Sequence, residues 1–200
     1  MARVNTPDFW EGLYAAGGDG WDLGGPTLPL VDFVQATPPP RGRVAVPGCG
    51  RGHDARFLAA HGYDVTAFDF STAAVTAARA LALRDGVRVD VEQVDVFTLA
   101  GEHANAFDGV WEYTCLCAID PARRRQYVDV LRAIVRPGGW LLACIFPLRA
   151  QTAGPPFKVS GAEVRRLLAP AFRIERAFPP LRSARGRQGR EWMVFARRTG

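Results

Sequence analysis

The stretch Val44-Ala45-Val46-Pro47-Gly48-Cys49-Gly50-Arg51-Gly52 decides the fold. A short apolar run ends in three alternating glycines, and a helix-like run follows at once. Seventeen residues beyond Gly52 a second apolar run closes on an acid, Asp69. Strand, glycine turn, helix and strand in this order describe a parallel βαβ unit, which holds an adenosine-containing ligand against the carboxyl ends of its strands. The glycines let the backbone turn sharply and approach the ligand, because no Cβ stands in the way. The acid can accept hydrogen bonds from two ribose hydroxyls. A nicotinamide site has the spacing GxGxxG, with a pyrophosphate on the helix N-terminus. Here the spacing is GxGxG. A sulfonium cofactor brings no pyrophosphate, so the shorter loop points to S-adenosylmethionine (SAM). Spacing alone specifies a nucleotide-type site, and methyl transfer is the reaction class it favours.

Outward from this loop the pattern repeats. Strands are predicted over 43–46, 64–68, 87–94, 107–111 and 140–146, with helices over about 52–61, 71–84, 123–135 and 161–169 between or after them. Ser71 is expected to cap the second of these helices, and Pro137-Gly138-Gly139 turns the chain after the third. Two late strands, 172–178 and 191–197, are joined by a glycine- and arginine-rich loop and read as an antiparallel edge hairpin. The fold class is therefore α/β: a Rossmann-like, mostly parallel seven-stranded sheet. Ahead of it, Asp8 is expected to cap a short helix over 9–14, with Glu11 completing a capping box. A second short helix precedes Pro38-Pro39-Pro40. The whole chain, 1–200, reads as one domain, with residues 1–40 a helical cover and 41–200 the α/β core.

Two hundred residues, 48% apolar with five tryptophans, suffice for one complete core and exclude a disordered chain. No apolar run approaches the roughly 18 residues of a membrane span, and no leader-like segment opens the sequence. A soluble cytoplasmic protein with no membrane partner is expected. Cys115 and Cys117 are too close together for a structural zinc pair and have no second pair, so the four cysteines are expected as buried thiols with no metal. Charge is unevenly placed: residues 1–100 carry 8 Arg and 12 acids, whereas residues 101–200 carry 17 basic residues and 8 acids. The run from Arg182 to Arg198 is broken by Glu191-Trp192-Met193-Val194-Phe195. It reads as a solvated strand-loop-strand face, without the aromatic platform that a nucleic-acid site would add.

Four segments carry a family resemblance: Trp10 through Trp21-Asp22-Leu23-Gly24 and Pro26; Val46 to Gly52; Glu112-Tyr113-Thr114-Cys115-Leu116-Cys117-Ala118-Ile119 with Pro121 and Arg124; and Pro137-Gly138-Gly139 followed by Pro155-Pro156-Phe157-Lys158-Val159-Ser160. Through them the chain resembles the class I SAM-dependent methyltransferases. Within that group it is similar to the thiopurine S-methyltransferase family, in the branch of thiol and halide methyltransferases. The resemblance implies a class I methyltransferase fold. It places Gly48, Cys49, Gly50 and Gly52 beneath the methionine part of SAM, Asp69 on the ribose, Phe70 and Ser71 at the adenine edge, and Asp95, Val96 and Phe97 bordering the adenine. It puts Tyr113 on the methyl and substrate side and Trp21 over the cofactor. The chain departs from the pattern at His53, where an aromatic is usual, and at Ala153-Gly154, where a double glycine is usual.

Each assignment has a structural alternative. Asp95 can be a turn cap, Tyr113 a packed aromatic, and Trp21 a core seal. Glu112 reads equally as a site residue or as a partner for an arginine. His53 reads as a helix-end residue, and His61 as a C-terminal cap. A methyl group on a sulfonium is already activated, so the protein chiefly aligns the reactants and excludes water. A thiol with a pKa of about 8.5 needs little help to ionise, and the sequence shows no dedicated base. Any assistance is expected from Tyr113, Glu112 or a nearby arginine, with Arg149 the candidate. The expected reaction is methyl transfer to a small thiol or sulfide. The alternatives are a halide acceptor, an O- or N-methyl acceptor of a natural-product scaffold, and a non-catalytic SAM-binding or nucleic-acid-associated protein. The expected partner is a small molecule, with no nucleic acid, and the expected assembly a monomer or weak homodimer.

Overall fold

The computed structural model describes residues 3–149 and 154–200. Its elements run α1 (Pro7–Ala15), α2 (Leu28–Ala36), β1 (Arg43–Pro47), α3 (His53–Ala60), β2 (Asp64–Asp69), α4 (Thr72–Arg84), β3 (Asp90–Gln93), α5 (Leu99–Glu102), β4 (Phe107–Tyr113), α6 (Cys115–Ala118), α7 (Arg124–Ile134), β5 (Val135–Ile145), α8 (Gly161–Leu168), β6 (Phe172–Phe178) and β7 (Trp192–Arg198). One seven-stranded sheet has the order β3-β2-β1-β4-β5-β7-β6. β1 to β5 pair in parallel, and β7 is antiparallel to both β5 and β6. The edge hairpin expected from the sequence is this β6–β7 pair.

Because the parallel strands are covered on both faces, they read as near-continuous apolar runs. On one face Leu30, Phe33, Leu58, Val75 and Ala78 from α2, α3 and α4 pack on Val44, Val65 and Trp111. On the other, Tyr127, Leu131, Ile134, Val164 and Leu167 from α7 and α8 pack on Val110, Leu141 and Ala143. Tyr127, Leu131 and Ile134 recur at helical spacing and are at most 2% exposed. Burial of side chains this size stabilises the fold by roughly 1.5–3 kcal/mol each, so Leu131→Ala is the single change that most directly opens this layer.

The boundaries differ from expectation where tertiary contacts override the local pattern. β3 is shorter than 87–94, because Val87 N–H closes α4 by donating to Ala82 O (3.1 Å); at the other end Val94 N–H completes the pairing with β2 by donating to Asp69 O (3.0 Å). β4 extends to Tyr113, which is thus the last strand residue and not a loop residue. α1 starts at Pro7 after Thr6, and Asp8 makes no capping bond there. Glu11 caps a different helix: its Oε1 accepts from the backbone N–H of Thr72 and of Ala73 at the start of α4. The cover expected over 1–40 also divides. α2 is built into the core through Leu30, Phe33 and Val34, and residues before it form the wall of a cavity.

Candidate active site

The cavity opens at the carboxyl ends of β1, β2 and β4, where the strand order reverses and open α/β sheets take their ligands. It has a volume of about 750 Å³, within the roughly 300–1,000 Å³ usual for small-molecule and cofactor sites.

Its floor is the glycine loop. Gly48, Gly50 and Gly52 all have positive φ, at 61°, 53° and 69°, a region that side chains with a Cβ enter only under strain. A Cβ on Gly48 would lie 2.9 Å from Cys115 Sγ, and one on Gly50 would lie 3.4 Å from the Tyr14 hydroxyl on α1. Gly48, Cys49 and Gly50 line the cavity, while Gly52 does not. Gly52 instead precedes α3 where a Cβ would meet Ala78 of α4 at 3.1 Å, so its contribution is helix packing.

Asp69 ends β2 on the cavity wall and is 9% exposed. Its Oδ2 accepts from Gly50 N–H (2.9 Å) and its Oδ1 from Ser71 N–H (3.0 Å). Burial raises its pKa, and these backbone donors pull it back down. Each carboxylate oxygen has a second lone pair free for a ligand. Phe70 lines the cavity, but Ser71 is fully buried and caps α4, its Oγ accepting from Ala74 N–H at 3.2 Å. Asp95, Val96 and Phe97 form the next part of the wall. Asp95 serves there as a turn cap, with Oδ1 accepting from Phe97 N–H at 3.0 Å. The Arg123 guanidinium lies 3.4 Å from the Phe97 ring centroid.

The N-terminal segment closes one side. Trp21 stands edge-on to Trp10 (5.4 Å between centroids) and to Tyr14 (5.3 Å), and all three line the cavity. Polar ties hold this segment to the glycine loop. Arg51 bonds Asp19 and forms an ion pair with Asp22 (Nε to Oδ2, 2.8 Å), and His53 Nε2 lies 2.9 Å from Asp22 Oδ1. His53 is thus a docking residue at the head of α3. His61 ends α3 as expected, with Nδ1 2.8 Å from Phe57 O.

A residue that the sequence reading missed anchors the far end of the segment. Asp54 accepts from Thr27 N–H (2.7 Å), from the Thr27 hydroxyl and from Trp111 Nε1–H (2.7 Å). An acid in a helix's first turn ordinarily reads as a dipole partner, and nothing local marks this one as turned inward. Burial raises its pKa, opposed by those hydrogen bonds.

The opposite end of the cavity is walled by Tyr113, Thr114, Cys115, Cys117, Ile119, Phe146, Pro155 and Pro156. Thr114 takes φ 66°, a strained conformation for a β-branched residue, at the start of α6. Arg124 explains why the third and fourth motifs occur together. Its buried guanidinium donates to Leu116 O, Phe157 O, Lys158 O and Glu163 Oε1 at 2.7–3.3 Å, tying α6 to the segment that follows Pro155-Pro156. Gly154 is described and has φ 97°; Ala153 lies outside the described residues.

Tyr113 sits between two charged residues. Its hydroxyl donates to Glu191 Oε1 (2.6 Å) and accepts from Arg187 Nη1–H. Burial drives the phenol pKa far up. Arg187 and Glu191 are 6% and 2% exposed. Both fall in the stretch expected as a solvated arginine face, an expectation that the structure corrects. Alternation across a loop gives no sign of which of several arginines turns inward. Arg182, by contrast, is on the surface, bonded to Asp32 at 2.9 Å.

Two expected catalytic residues lie elsewhere. Glu112 points to the opposite face of the sheet, as its place between Trp111 and Tyr113 in a strand requires. It is 3% exposed there, with Oε1 accepting from Leu116 N–H at 2.7 Å, and burial pushes its pKa up to about 7. Arg149 is exposed and does not line the cavity; its carbonyl accepts from Arg190 Nε–H at 3.1 Å. The cysteines are free thiols. Cys49, Cys115 and Cys117 line the cavity, and burial raises all three pKa values, so they stay neutral. No helix among the described residues is long and apolar enough to cross a membrane.

These residues fit SAM: a loop with three positive-φ glycines, an inward carboxylate beside it, aromatic walls, and room at the far end of the same cavity for an acceptor. The chain matches the thiopurine S-methyltransferase (TPMT) family over residues 5–180. It is 33% identical to the probable thiol methyltransferase 2 of Arabidopsis thaliana over 172 residues, 85% of this chain and 75% of that one. It is 29% identical to thiocyanate methyltransferase 1 of the same plant, over 80% of this chain and 71% of that one. The fold matches the crystal structure of Burkholderia thailandensis 1,6-didemethyltoxoflavin-N1-methyltransferase bound to S-adenosylhomocysteine with a TM-score of 0.75, at 24% identity over 97% of this chain and 87% of that one. Loop, acid and covering aromatics thus agree with sequence kinship over most of the chain, which belongs to the thiopurine S-methyltransferase family, in its thiol and thiocyanate methyltransferase branch, and is a SAM-dependent methyltransferase of small molecules.

Proposed function

We propose that the methyl acceptor is a small thiol or sulfide, taken up as its anion. One observation carries this reading: among the described residues, every carboxylate and imidazole on the cavity wall already has a partner. Asp22 holds Arg51 and His53, Asp54 holds Thr27 and Trp111, Asp69 holds Gly50 and Ser71, and Asp95 holds Phe97. An acceptor that ionises on its own does not require a free base. The acceptor end also carries a buried guanidinium, Arg187, which favours an anion there.

SAM supplies the electrophilic methyl group. The residues of this chain supply place and environment. Asp69 takes the ribose hydroxyls, the Gly48–Gly50 backbone lies beneath the methionine part, and Asp95, Val96 and Phe97 border the adenine. Trp10, Tyr14 and Trp21 exclude water from above, which strengthens electrostatic interactions inside. Tyr113 gives its proton to Glu191 and a lone pair to Arg187, so it neither donates to the acceptor nor deprotonates it. Its part is to hold the Arg187 guanidinium, whose charge suits the acceptor anion.

A second reading follows from the same arginine. A halide or thiocyanate anion has no proton to lose and suits a positive, otherwise apolar chamber equally well; the kinship to a thiocyanate methyltransferase supports it. A SAM-dependent panel of sulfide, methanethiol, an aromatic thiol, thiocyanate, iodide and a phenol tests both. Turnover greatest with the thiols supports the first reading, and a phenol as the best acceptor would overturn both.

A further inference from the structure

We infer that Arg187 is a positioning residue that makes the N-terminal segment and the acceptor wall one assembly, so that covering the cofactor and shaping the acceptor chamber occur together. Its two terminal nitrogens point in different directions. Nη1–H donates to the Tyr113 hydroxyl on β4, and Nη2–H donates to the carbonyl of Trp21 at 2.9 Å. One guanidinium thus joins the strand that walls the acceptor end to the segment that covers the cofactor end.

The loop that bears Arg187 is itself fixed. Arg187 N–H donates to Ala184 O and Arg190 N–H to Arg187 O, both at 2.9 Å, and Leu148 N–H donates to Arg190 O at 2.9 Å. Phe146 is flanked by the guanidinium groups of Arg187 (4.8 Å) and Arg190 (5.1 Å). The N-terminal segment is held by Glu11 on the start of α4, by the ties of Asp19 and Asp22 to Arg51 and His53, by Asp54 on Thr27, and by this carbonyl. A carbonyl in a buried environment needs a donor. When the segment is in place, Trp21 O supplies the second acceptor that orients the Arg187 fork. The fork in turn fixes the Tyr113 hydroxyl and sends its proton to Glu191, whose carboxylate is 2% exposed. When the segment leaves, Arg187 loses one of its two anchors and Tyr113 its fixed direction. A lysine, with a single point of charge, cannot hold two acceptors in this fixed geometry.

The inference uses the proposed acceptor reading only for which end of the cavity the acceptor occupies. Its first test needs no acceptor. Calorimetry with S-adenosylhomocysteine on Arg187→Lys and Arg187→Gln is expected to show about tenfold weaker binding. Steady-state kinetics with the best thiol of the panel is expected to show an acceptor KM raised about tenfold with a smaller change in kcat. Tyr113→Phe, which leaves the Trp21 bond intact, is expected to keep S-adenosylhomocysteine affinity within twofold of wild type. A rise in acceptor KM with unchanged S-adenosylhomocysteine affinity in both Arg187 variants would overturn the coupling, as would a fall in melting temperature alone. If the substitutions prevent folding, the wild-type chain carries the test through limited trypsin digestion. Saturating S-adenosylhomocysteine is expected to slow cleavage after Arg187 at least fivefold, and unchanged cleavage would overturn the inference.

Discussion

Gly50 donates its backbone N–H to Asp69 Oδ2 at 2.9 Å, so the glycine loop and the acid that faces it hold each other in position. The acid therefore has two duties, one toward the ligand and one toward the loop. Asp69→Asn keeps a carbonyl for one of its two backbone donors but removes the charge. Asp69→Ala removes both acceptors. We expect S-adenosylhomocysteine affinity to fall at least tenfold in Asp69→Ala and less in Asp69→Asn, measured by calorimetry. Unchanged affinity in the alanine variant would take Asp69 out of ribose recognition.

The glycines of the loop separate by what surrounds them. Gly50→Val is expected to abolish S-adenosylhomocysteine binding while the chain still folds, because the branched side chain enters the cavity below Tyr14. Gly52→Ala is expected to act on the fold instead. Its φ of 69° costs an L-residue about 1–2 kcal/mol, and the Cβ crowds Ala78 at 3.1 Å. Thermal melts should show the loss for Gly52→Ala. Equal binding defects at both positions would mean that Gly52 also touches the ligand.

Much of this arrangement was legible in the sequence, and what was hidden has a common cause. The βαβ unit around Gly48 to Asp69 and the antiparallel β6–β7 edge follow from periodicity and glycine spacing, which report backbone geometry directly. Arg187, Glu191 and Asp54 were missed, because a charged residue in a loop or a first helical turn looks the same whether its partner is water or a distant side chain. Arg187 finds Trp21 and Tyr113, and Asp54 finds Thr27 and Trp111, across sequence gaps that periodicity cannot bridge. Glu112 lies off the cavity for a different reason. Once β4 is extended as far as Tyr113, neighbours in it face opposite ways.

The buried Glu112 gives the fold a pH dependence of definite sign. Burial raises its pKa in the folded chain from the ordinary 4.5 to about 7. Between those values the folded state holds a proton that the unfolded state has lost, so stability falls as pH rises through this window. The effect amounts to at most about 3 kcal/mol, at one unit of pKa per 1.36 kcal/mol. Glu112→Gln keeps an oxygen for Leu116 N–H and removes the titration. Denaturant melts from pH 4.5 to 7.5 are expected to flatten in this variant relative to wild type, with turnover changed less than threefold. An unaltered slope would assign the pH dependence to other groups, and a loss of turnover above a hundredfold would return Glu112 to the reaction.

The first helix, α1, buries none of its residues in the core. α2 supplies Leu30, Phe33 and Val34 to the core, whereas α1 and the glycine-rich turn wall the cavity and rest on α4 and α3 through Glu11, Asp19 and Asp22. Deleting residues 1–24 is expected to leave a cooperatively folding chain that retains SAM poorly and turns over almost nothing. Full activity in the truncated chain would show that these aromatics are only packing.

The acceptor's own ionisation should govern the rate. With a thiol, kcat/KM is expected to rise with pH and level off near that thiol's pKa, and the limb should move to lower pH when a more acidic thiol is supplied. Halide or thiocyanate would give a nearly flat profile over the same range, having no proton to lose. A phenolic acceptor needs a base, so its limb would follow a protein group that stays fixed as acceptors change. Tyr113 is a poor candidate for that base, since burial drives its pKa far above the working range and its proton is already held by Glu191. Tyr113→Phe should therefore lower turnover only about tenfold, the loss of one hydrogen bond that holds Arg187, of about 1.4 kcal/mol, and leave the pH limb where it was. A limb that stays fixed across acceptors and vanishes in Tyr113→Phe, or a loss above a thousandfold, would replace this picture with base catalysis through the phenol.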